Sequence, residues 1–237
     1  MFGRHLTVLR FLFIVLCSVI LIPSCWPQNG YAGQRERMVK TQIANRGVRH
    51  EATLKAMRDT PRHSFVPSAQ VVKAYWDTPL PIGYGQTISQ PYIVGYMTEV
   101  IDPKAGQKVL EVGTGSGYQA AVLAQIVDSV FTIEIVKELG EKARDRLESL
   151  HYQNVLVKID DGYFGWEEHA PFDAIIVTAA AEFVPPPLIK QLKEGGKMII
   201  PIGSPFAVQN LVLVTIKNGK PVTKNLFPVR FVPFTRE

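Results

Sequence analysis

The sequence predicts an α/β protein with a doubly wound, mostly parallel sheet, an antiparallel edge and an N-terminal helical cap. From Val109 onward, strand-like apolar runs alternate with helix-like segments, the pattern of parallel βαβ units. Near the end, two apolar runs flank Asn218-Gly219, a dipeptide typical of a hairpin turn. Residues 34–76 carry apolar side chains at helical spacing among charged neighbours, and these predict the cap.

We divide the 237 residues into a signal-like leader at 1–32, the helical cap at 33–80 and the main domain at 81–237. The leader begins with basic residues and continues into a nearly unbroken apolar run at 11–22, which suits a signal-peptide core and is short for a membrane span. Small residues at Gly30 and Ala32 predict cleavage before Gly33. Two alternatives stay open: a poor lipoprotein box ending at Cys25, and an over-extended start with translation at Met38.

Composition narrows the class of protein. Hydrophobic residues make up 46% and charged residues 20%, which suits a globular domain with a full core. The net charge is +5, without a run of five like charges or a basic stripe with interleaved aromatics, so we expect no nucleic-acid partner. Both cysteines lie in the leader, and His50 and His63 have no second ligand at metal spacing. We therefore expect no disulfide and no metal site in the folded part.

The elements follow in order. Thr60-Pro61 ends the helical pattern of the cap, and a short helix is predicted at 69–76. Prolines and glycines at 79–85 predict irregular chain, and Pro91 predicts the first turn of a helix to about Val100. Beyond it we expect strands at 109–112, 130–133, 155–159, 174–177, 198–201 and 211–216, and helices at 118–127, 135–150 and 188–192.

The stretch from Val109 to Gly117 is the main functional signal. A strand leads into Gly113, Gly115 and Gly117, and a helix start follows. Glycines allow sharp turns and a close ligand, and a helix start offers unpaired N–H donors, so the segment predicts a nucleotide-type site. The spacing is not the dinucleotide fingerprint G-x-G-x-x-G, and a tight turn is the alternative. Glu134 ends the next strand, where an acid can accept both ribose hydroxyls; the alternative is a surface carboxylate.

Further motifs occur in a fixed order along the chain: Met38-Val39, Arg46-Gly47, Pro61-Arg62-His63, Phe65-Val66-Pro67, Pro81-Ile82-Gly83, Gln86-Thr87-Ile88-Ser89-Gln90-Pro91 and the run from Pro171 to Ala180. Together with the glycine loop they resemble the protein-L-isoaspartate O-methyltransferase family over roughly residues 38–237. The T-I-S-Q-P segment is far more specific to this family than the glycine loop, which many methyltransferases share.

The resemblance implies a Rossmann-like, S-adenosylmethionine-dependent methyltransferase. Its substrate would be the free α-carboxylate of L-isoaspartyl residues in damaged proteins, and the methyl ester would collapse to a succinimide that hydrolyses partly to aspartate. Ser89 would be the active-site residue, although by composition alone it could be only a helix N-cap. The residues implied to bind substrate are Thr87, Ile88, Ser89 and Val232. Those implied to bind the cofactor are Thr87, Glu111, Gly113, Thr114, Gly115, Gly117, Glu134, Asp161 and Gly162.

Two features depart from the family pattern. Asp160 stands where the family usually has Gly before Asp-Gly, which weakens the assignment of Asp161-Gly162 to the adenine edge. The leader is unexpected because the family normally works in the cytoplasm, so export or membrane tethering through 1–32 is the alternative location. We expect a monomer whose partners are isoaspartyl proteins and peptides, with no stable membrane domain beyond the leader.

Rival functions predict other residues. Nucleic-acid amino methyltransferases usually carry Asn or Asp, Pro-Pro and an aromatic after the fourth strand, where this chain has Thr178-Ala179-Ala180-Ala181. A binding module on this fold would be expected to lose the ribose acid or the loop glycines, and both are present. A dehydrogenase would carry nicotinamide chemistry downstream, and we find none.

Overall fold

The computed structural model describes residues 30–204 and 207–236. Most of the predicted leader, with both cysteines, lies outside the described residues. The first helix spans Gly30–Arg37, so the predicted cleavage point before Gly33 falls inside that helix. Within the described ranges, no helix has both the length and the apolar character needed to cross a bilayer.

The described chain contains six α-helices and nine strands, together with short 3-10 and π-helical segments. The helices are α1 Gly30–Arg37, α2 Glu51–Asp59, α3 Pro91–Ile101, α4 Tyr118–Ala124, α5 Lys137–Ser149 and α6 Pro186–Lys190. The strands are β1 Leu80–Gly83, β2 Gln86–Ile88, β3 Lys108–Val112, β4 Ser129–Glu134, β5 Val155–Ile159, β6 Phe172–Val177, β7 Leu192–Ile202, β8 Gln209–Lys217 and β9 Lys220–Val229.

Seven strands form the main sheet in the order β5-β4-β3-β6-β7-β8-β9. The first five of these pair in parallel, and β8 and β9 add the antiparallel edge through the hairpin at Asn218-Gly219. The predicted fold class is confirmed. Strand order reverses between β3 and β6, which creates a crevice at their carboxyl ends.

Alternation along the strands builds a core on each face of the sheet. In β3, Val109 packs in a cluster with Met97 and Ile101 of α3, whereas Leu110 faces a cluster that contains Leu188 of α6. Successive strand side chains point to opposite faces, so a strand buried on both sides is apolar almost throughout. This explains why the only charged side chain in the interior of β3, Glu111, stands out in the sequence.

The cap lies against helices of the main domain. Met38 and Ile43 of a π-helical segment, Met57 of α2 and Phe65 are buried in one cluster with Tyr118, at the start of α4. The rings of Phe65 and Tyr118 meet edge to face with centroids 5.5 Å apart. The cap therefore fixes the segment that leads into the site rather than forming a separate core.

The segment at 79–85 corrects one prediction. Instead of irregular chain, β1 and β2 form an antiparallel hairpin in which Leu80 pairs with Ile88. Proline is tolerated in such a two-stranded edge, and the turn is made by Tyr84 and Gly85, both with positive φ. The hairpin crosses the division between cap and main domain at 80/81, so the two segments are joined by backbone hydrogen bonds.

Two other predicted elements also differ. The segment predicted as a helix at 69–76 is a 3-10 helix at Ser68–Lys73. Strand β7 begins at Leu192, where we predicted the end of a helix, because Leu192 pairs with Phe172 at the start of β6. Non-local pairing thus overrides the helical propensity of the short segment before it.

Candidate active site

The candidate site lies where three strands end side by side. Strand β3 runs into Gly113, β4 ends at Glu134, and β6 runs into Thr178. These are the carboxyl ends around the point where strand order reverses, which is where ligands bind in open α/β sheets. The sheet thus brings together residues that are far apart in sequence.

The glycine loop adopts backbone conformations that favour glycine. Gly113, Gly115 and Gly117 have φ values of 99°, 52° and 84°. A Cβ at Gly113 would lie 2.4 Å from Thr178 Oγ1, and that hydroxyl donates to the Gly113 carbonyl over 2.7 Å. The loop is therefore pressed against the end of β6, and its position depends on having no side chain at Gly113.

Glu134 is tied to the same loop. Its Oε2 accepts from the Gly115 amide at 2.6 Å, and its Oε1 accepts from the Val136 amide at 3.0 Å. Burial raises the pKa of this carboxyl, while these amides oppose the rise. Each carboxylate oxygen has a second lone pair, so both can still accept a ligand hydroxyl. The geometry fits the predicted ribose contact.

Glu111 is fully buried beside the loop. Its Oε2 accepts from Thr132 Oγ1 at 2.6 Å, and that hydroxyl lies 2.6 Å from Thr114 Oγ1. Its Oε1 is buried without a hydrogen-bond partner among the described residues. Burial raises the pKa of Glu111 to about 8, against the opposing bond from Thr132. An unpartnered buried oxygen of Glu111 at this position suits a hydrogen-bonding ligand group, and a cationic group beside it would favour the ionised carboxylate.

Ser89 lies between the end of β2 and the start of α3, and it is half-buried. The N-cap of α3 is Gln90, so the alternative role of Ser89 as that cap is not what the structure has. The Ser89 carbonyl accepts from Arg62 Nη2 at 2.8 Å. Ile88 beside it is buried, and Thr87 is exposed.

Three adjoining cavities connect these groups. One of about 60 Å³ is bordered by Gly115, Glu134 and Gly162, and one of about 30 Å³ by Glu111, Thr114 and Ser89. A larger one of about 590 Å³ also borders Ser89. Several residues border more than one of these cavities. Thr87 and Thr178 border all three, Val232 borders the first and the largest, and Ser89 borders the second and the largest.

Asp161 and Gly162, the two residues implied to contact the adenine edge, differ in their position relative to the cavities. Gly162 borders the 60 Å³ cavity, and a Cβ there would lie 2.4 Å from Val112 Cγ1. Asp161 is not among the residues that border these cavities; it accepts from the Tyr163 amide at 2.9 Å and pairs with Arg236 at 2.9 Å. Asp160 pairs with Lys158 at 2.6 Å, and this bond lowers its pKa.

Sequence reasoning missed several residues of the site. Thr178 follows directly after a buried strand, and that position is the signal that could have identified it. Arg46, Tyr92 and Phe227 border the large cavity, and Arg62 lies behind Ser89. They come from the cap, α3 and β9, so no local pattern joins them to the glycine loop.

The residues present fit a nucleoside cofactor with a charged amino-acid portion. Glu134 offers a carboxylate for ribose, Glu111 an unpaired buried oxygen, and the glycines a wall without side chains. Across the part of the chain that the structure describes, no three His, Cys, Asp or Glu side chains are grouped to hold a metal ion.

Comparison with known proteins identifies the family of the chain. The family model for protein-L-isoaspartate(D-aspartate) O-methyltransferase matches residues 33–237. The protein-L-isoaspartate O-methyltransferase of Opitutus terrae is 58% identical over 204 residues, covering 86% of this chain and 88% of its own. Protein-L-isoaspartate O-methyltransferase 2 of Shewanella sediminis is 51% identical over 232 residues and covers 96% of this chain and 95% of its own, a span that must include part of the segment before Gly33.

Solved structures give the same result. A protein-L-isoaspartate O-methyltransferase superimposes with a TM-score of 0.78 at 31% identity, over 84% of this chain and 65% of that one. A Plasmodium falciparum protein given the same enzyme name, solved in complex with S-adenosyl-L-homocysteine, has a TM-score of 0.74 at 28% identity, over 86% of this chain and 99% of its own. The chain belongs to the protein-L-isoaspartate(D-aspartate) O-methyltransferase family.

Proposed function

We propose that Ser89 holds the free α-carboxylate of an L-isoaspartyl residue while the enzyme methylates it. The protein is an S-adenosylmethionine-dependent methyltransferase that starts the repair of isoaspartyl sites in damaged proteins. The observation that carries the role of Ser89 is its position on two cavities, one shared with Glu111 and the glycine loop and one open to the outer surface. A substrate group at Ser89 would therefore face both.

The cofactor residues are assigned by the chemistry of each group. Glu134 would accept from the ribose hydroxyls and Glu111 would face the amino-acid portion, with Thr114 supporting Glu111 through Thr132. Gly113, Gly115 and Gly117 keep the loop close to the ligand, and Gly162 borders the same cavity. Asp161 remains the candidate for the adenine edge, from a position beside rather than on the cavity wall.

The chemistry asks for alignment rather than proton transfer. A substrate α-carboxylate has a reference pKa near 3.5, so it is already ionised at neutral pH and needs no general base. S-adenosylmethionine supplies an electrophilic methyl group on a sulfonium. Ser89 would donate a hydrogen bond to one carboxylate oxygen and leave the other free to attack, and such a bond to an anion contributes about 1.5–3 kcal/mol. The backbone nitrogen that follows the isoaspartyl residue then attacks the ester carbonyl and releases methanol, which gives a succinimide that hydrolyses partly to aspartate.

The larger cavity, about 590 Å³ in volume, is the proposed site for the peptide around the isoaspartyl residue. Thr87 and Val232 border it together with Ser89, whereas the buried Ile88 borders the adjoining cavity of about 30 Å³. The chain after β9 is extended there, and its Val232 carbonyl accepts from the Ala180 amide at 2.8 Å. The remaining backbone groups of this segment are candidates to pair with substrate backbone.

The partners are isoaspartyl proteins and peptides, and we propose that the enzyme acts as a monomer without nucleic acid. We also retain the division into leader 1–32, cap 33–80 and catalytic domain 81–237. The cytoplasm is the proposed site of action because the cofactor is made there. Export or tethering through the leader remains the alternative, which the N-terminus of the native protein, read by mass spectrometry after cell fractionation, would decide.

A direct assay tests the function. Full-length protein and a chain starting at Gly33 are incubated with radiolabelled S-adenosylmethionine and matched peptides that differ only in an Asp or isoAsp residue. Methylation of the isoAsp peptide alone is the expected result. Equal labelling of both peptides, or of neither, would refute the isoaspartyl specificity.

A further inference from the structure

Arg62 is a buried cation directly behind the active-site serine. Its side chain is fully buried in the 3-10 turn Arg62–Phe65 of the cap. Nε donates to the Ala74 carbonyl at 2.8 Å, and Nη2 donates to the Ser89 carbonyl at 2.8 Å. The guanidinium therefore links the cap to the segment between β2 and α3.

The charge of Arg62 lacks an acidic partner within the described chain. The nearby carboxylate of Asp77 favours the charged form of Arg62, but it forms its ion pair with Arg46, at 2.8 Å. Nη1 is buried without a hydrogen-bond partner among the described residues, and the ring of Tyr118 lies 4.9 Å from the guanidinium carbon. Burial lowers the pKa of Arg62 to about 10, so it stays protonated at neutral pH.

Burying the unpaired charge of Arg62 costs free energy. Removing an ion from water costs several kcal/mol even after the protein relaxes, and a fold normally offsets this with a paired opposite charge. Two carbonyls and an aromatic face offset it only in part here. The anion that completes the site is expected to come from outside the chain, and the nearest proposed anion site is the one at Ser89.

We infer that Arg62 is a positioning residue for the isoaspartyl carboxylate. It holds the Ser89 peptide group in place, and its positive charge is balanced by the substrate α-carboxylate when substrate binds. This deepens and rests on the proposed function. It gives the site a means of selecting an anionic group that the neutral hydroxyl of Ser89 cannot provide alone. The charge acts through low-dielectric protein, where it is weakly screened by salt.

The test measures coupling between Arg62 and the charge of the ligand. Two peptides carry either isoAsp or its neutral α-carboxamide, and their binding is measured by calorimetry in the presence of S-adenosyl-L-homocysteine, so that no turnover occurs. The wild type should bind the carboxylate peptide at least about tenfold more tightly, which is about 1.4 kcal/mol. Arg62→Met should reduce this ratio to within about twofold, and Arg62→Lys, which keeps the charge, should retain most of it.

A merely structural role would give a different pattern. General loosening of the site lowers the affinity for both peptides and leaves their ratio intact, and that result would overturn the inference. Arg144→Met is the matched control, because Arg144 donates to the Val157 carbonyl at 3.1 Å on β5. It should leave the ratio unchanged, and a loss of the ratio in this variant also would count against a specific role of Arg62.

Steady-state kinetics distinguish the hydrogen bond from Arg62 to the Ser89 carbonyl from the positive charge of Arg62. They also test the inference if Arg62→Met does not fold. In Arg62→Lys the peptide KM should stay within about threefold, while kcat falls at least tenfold because the Ser89 peptide group is less firmly held; a misplacement of about 1 Å can cost about 100-fold. An unchanged kcat would overturn the inference. A wild type that methylates Asp and isoAsp peptides alike would instead refute the proposed function.

Discussion

The carboxylate of Glu134, at the end of β4, accepts a hydrogen bond from the backbone amide of Gly115 over 2.6 Å. This contact joins the two strand ends that form the proposed cofactor side of the site. Because the second carboxylate oxygen accepts from Val136, the side chain is held in one orientation with lone pairs left for a ligand. Removing it affects both the loop and the proposed ribose contact.

We expect Glu134→Ala to weaken binding of S-adenosyl-L-homocysteine by about 1.5–3 kcal/mol, the value of hydrogen bonds to a charged group. Calorimetry measures this directly. Glu138→Ala removes an exposed carboxylate four residues further on, in the first turn of α5, and should bind like the wild type. Wild-type affinity in Glu134→Ala would rule out the ribose assignment.

Glu111 should make stability depend on pH in the direction opposite to most carboxylates. Its pKa is about 8 in the folded protein, against a reference of 4.5, because burial favours the neutral form. The folded state therefore holds a proton that the unfolded state releases, and stability falls as pH rises from 4.5 towards 8. Above and below that window the contribution is constant.

Urea unfolding of the ligand-free protein at a series of pH values checks this. Glu111→Gln should flatten the decline, since the amide does not titrate, whereas Glu138→Gln should leave it unchanged. A decline of equal size in Glu111→Gln would mean that another group causes it.

The loop glycines can be tested with a matched pair. Gly113 and Gly47 have similar φ values of 99° and 103°. A Cβ added at Gly113 would lie 2.4 Å from Thr178 Oγ1, whereas a Cβ added at Gly47 would have no atom within 4 Å. Gly113→Ala should abolish measurable cofactor binding and lower the melting temperature. Gly47→Ala carries only the backbone strain, about 1 kcal/mol, and should bind normally. Equal behaviour of the two variants would show that the contact with Thr178 is unimportant.

Ser89→Ala should leave cofactor affinity nearly unchanged and lower turnover of isoAsp peptide at least about tenfold, or about 1.4 kcal/mol. The reason is the loss of the donor to the substrate carboxylate, with the glycine loop intact. Steady-state assays and calorimetry give the two quantities separately. Ser68→Ala alters an exposed serine of the cap and is the control. Turnover at the wild-type rate in Ser89→Ala would remove Ser89 from the active site.

Asp161 and Arg236 form an ion pair of 2.9 Å beside the proposed cofactor cavity, and Arg236 also lies 3.8 Å from the ring of Tyr163. If Asp161 contacts the adenine, Asp161→Ala should weaken cofactor binding more than Arg236→Ala does. Calorimetry on both variants and the double variant gives the comparison. Equal, non-additive losses would mean that Asp161 acts only by holding the C-terminal segment.

Residues 86–91 and 109–117 show how far local sequence could predict the site. The glycine loop and Glu134 are predicted because strand, turn and helix signals follow one another within a short stretch, whereas the role of Glu111 is implied by the family resemblance. The role of Ser89 depended on family resemblance, since composition alone favours an N-cap there. The prediction of irregular chain at 79–85 was wrong because prolines and glycines suggested a loop, while the hairpin depends on pairing between Leu80 and Ile88.

The sequence by itself determined the alternation of strands and helices, the glycine loop and the acid at the end of β4, because each depends on the types and spacing of residues that are close together in the chain. Only the tertiary structure decided which distant groups complete the site. Arg62 reaches Ser89 across 27 positions, and Thr178 reaches Gly113 across 65. Neither contact has a local signature, because each arises from packing the cap and the parallel strands together. Burial then favours the neutral form of Glu111 and lowers the pKa of Arg62.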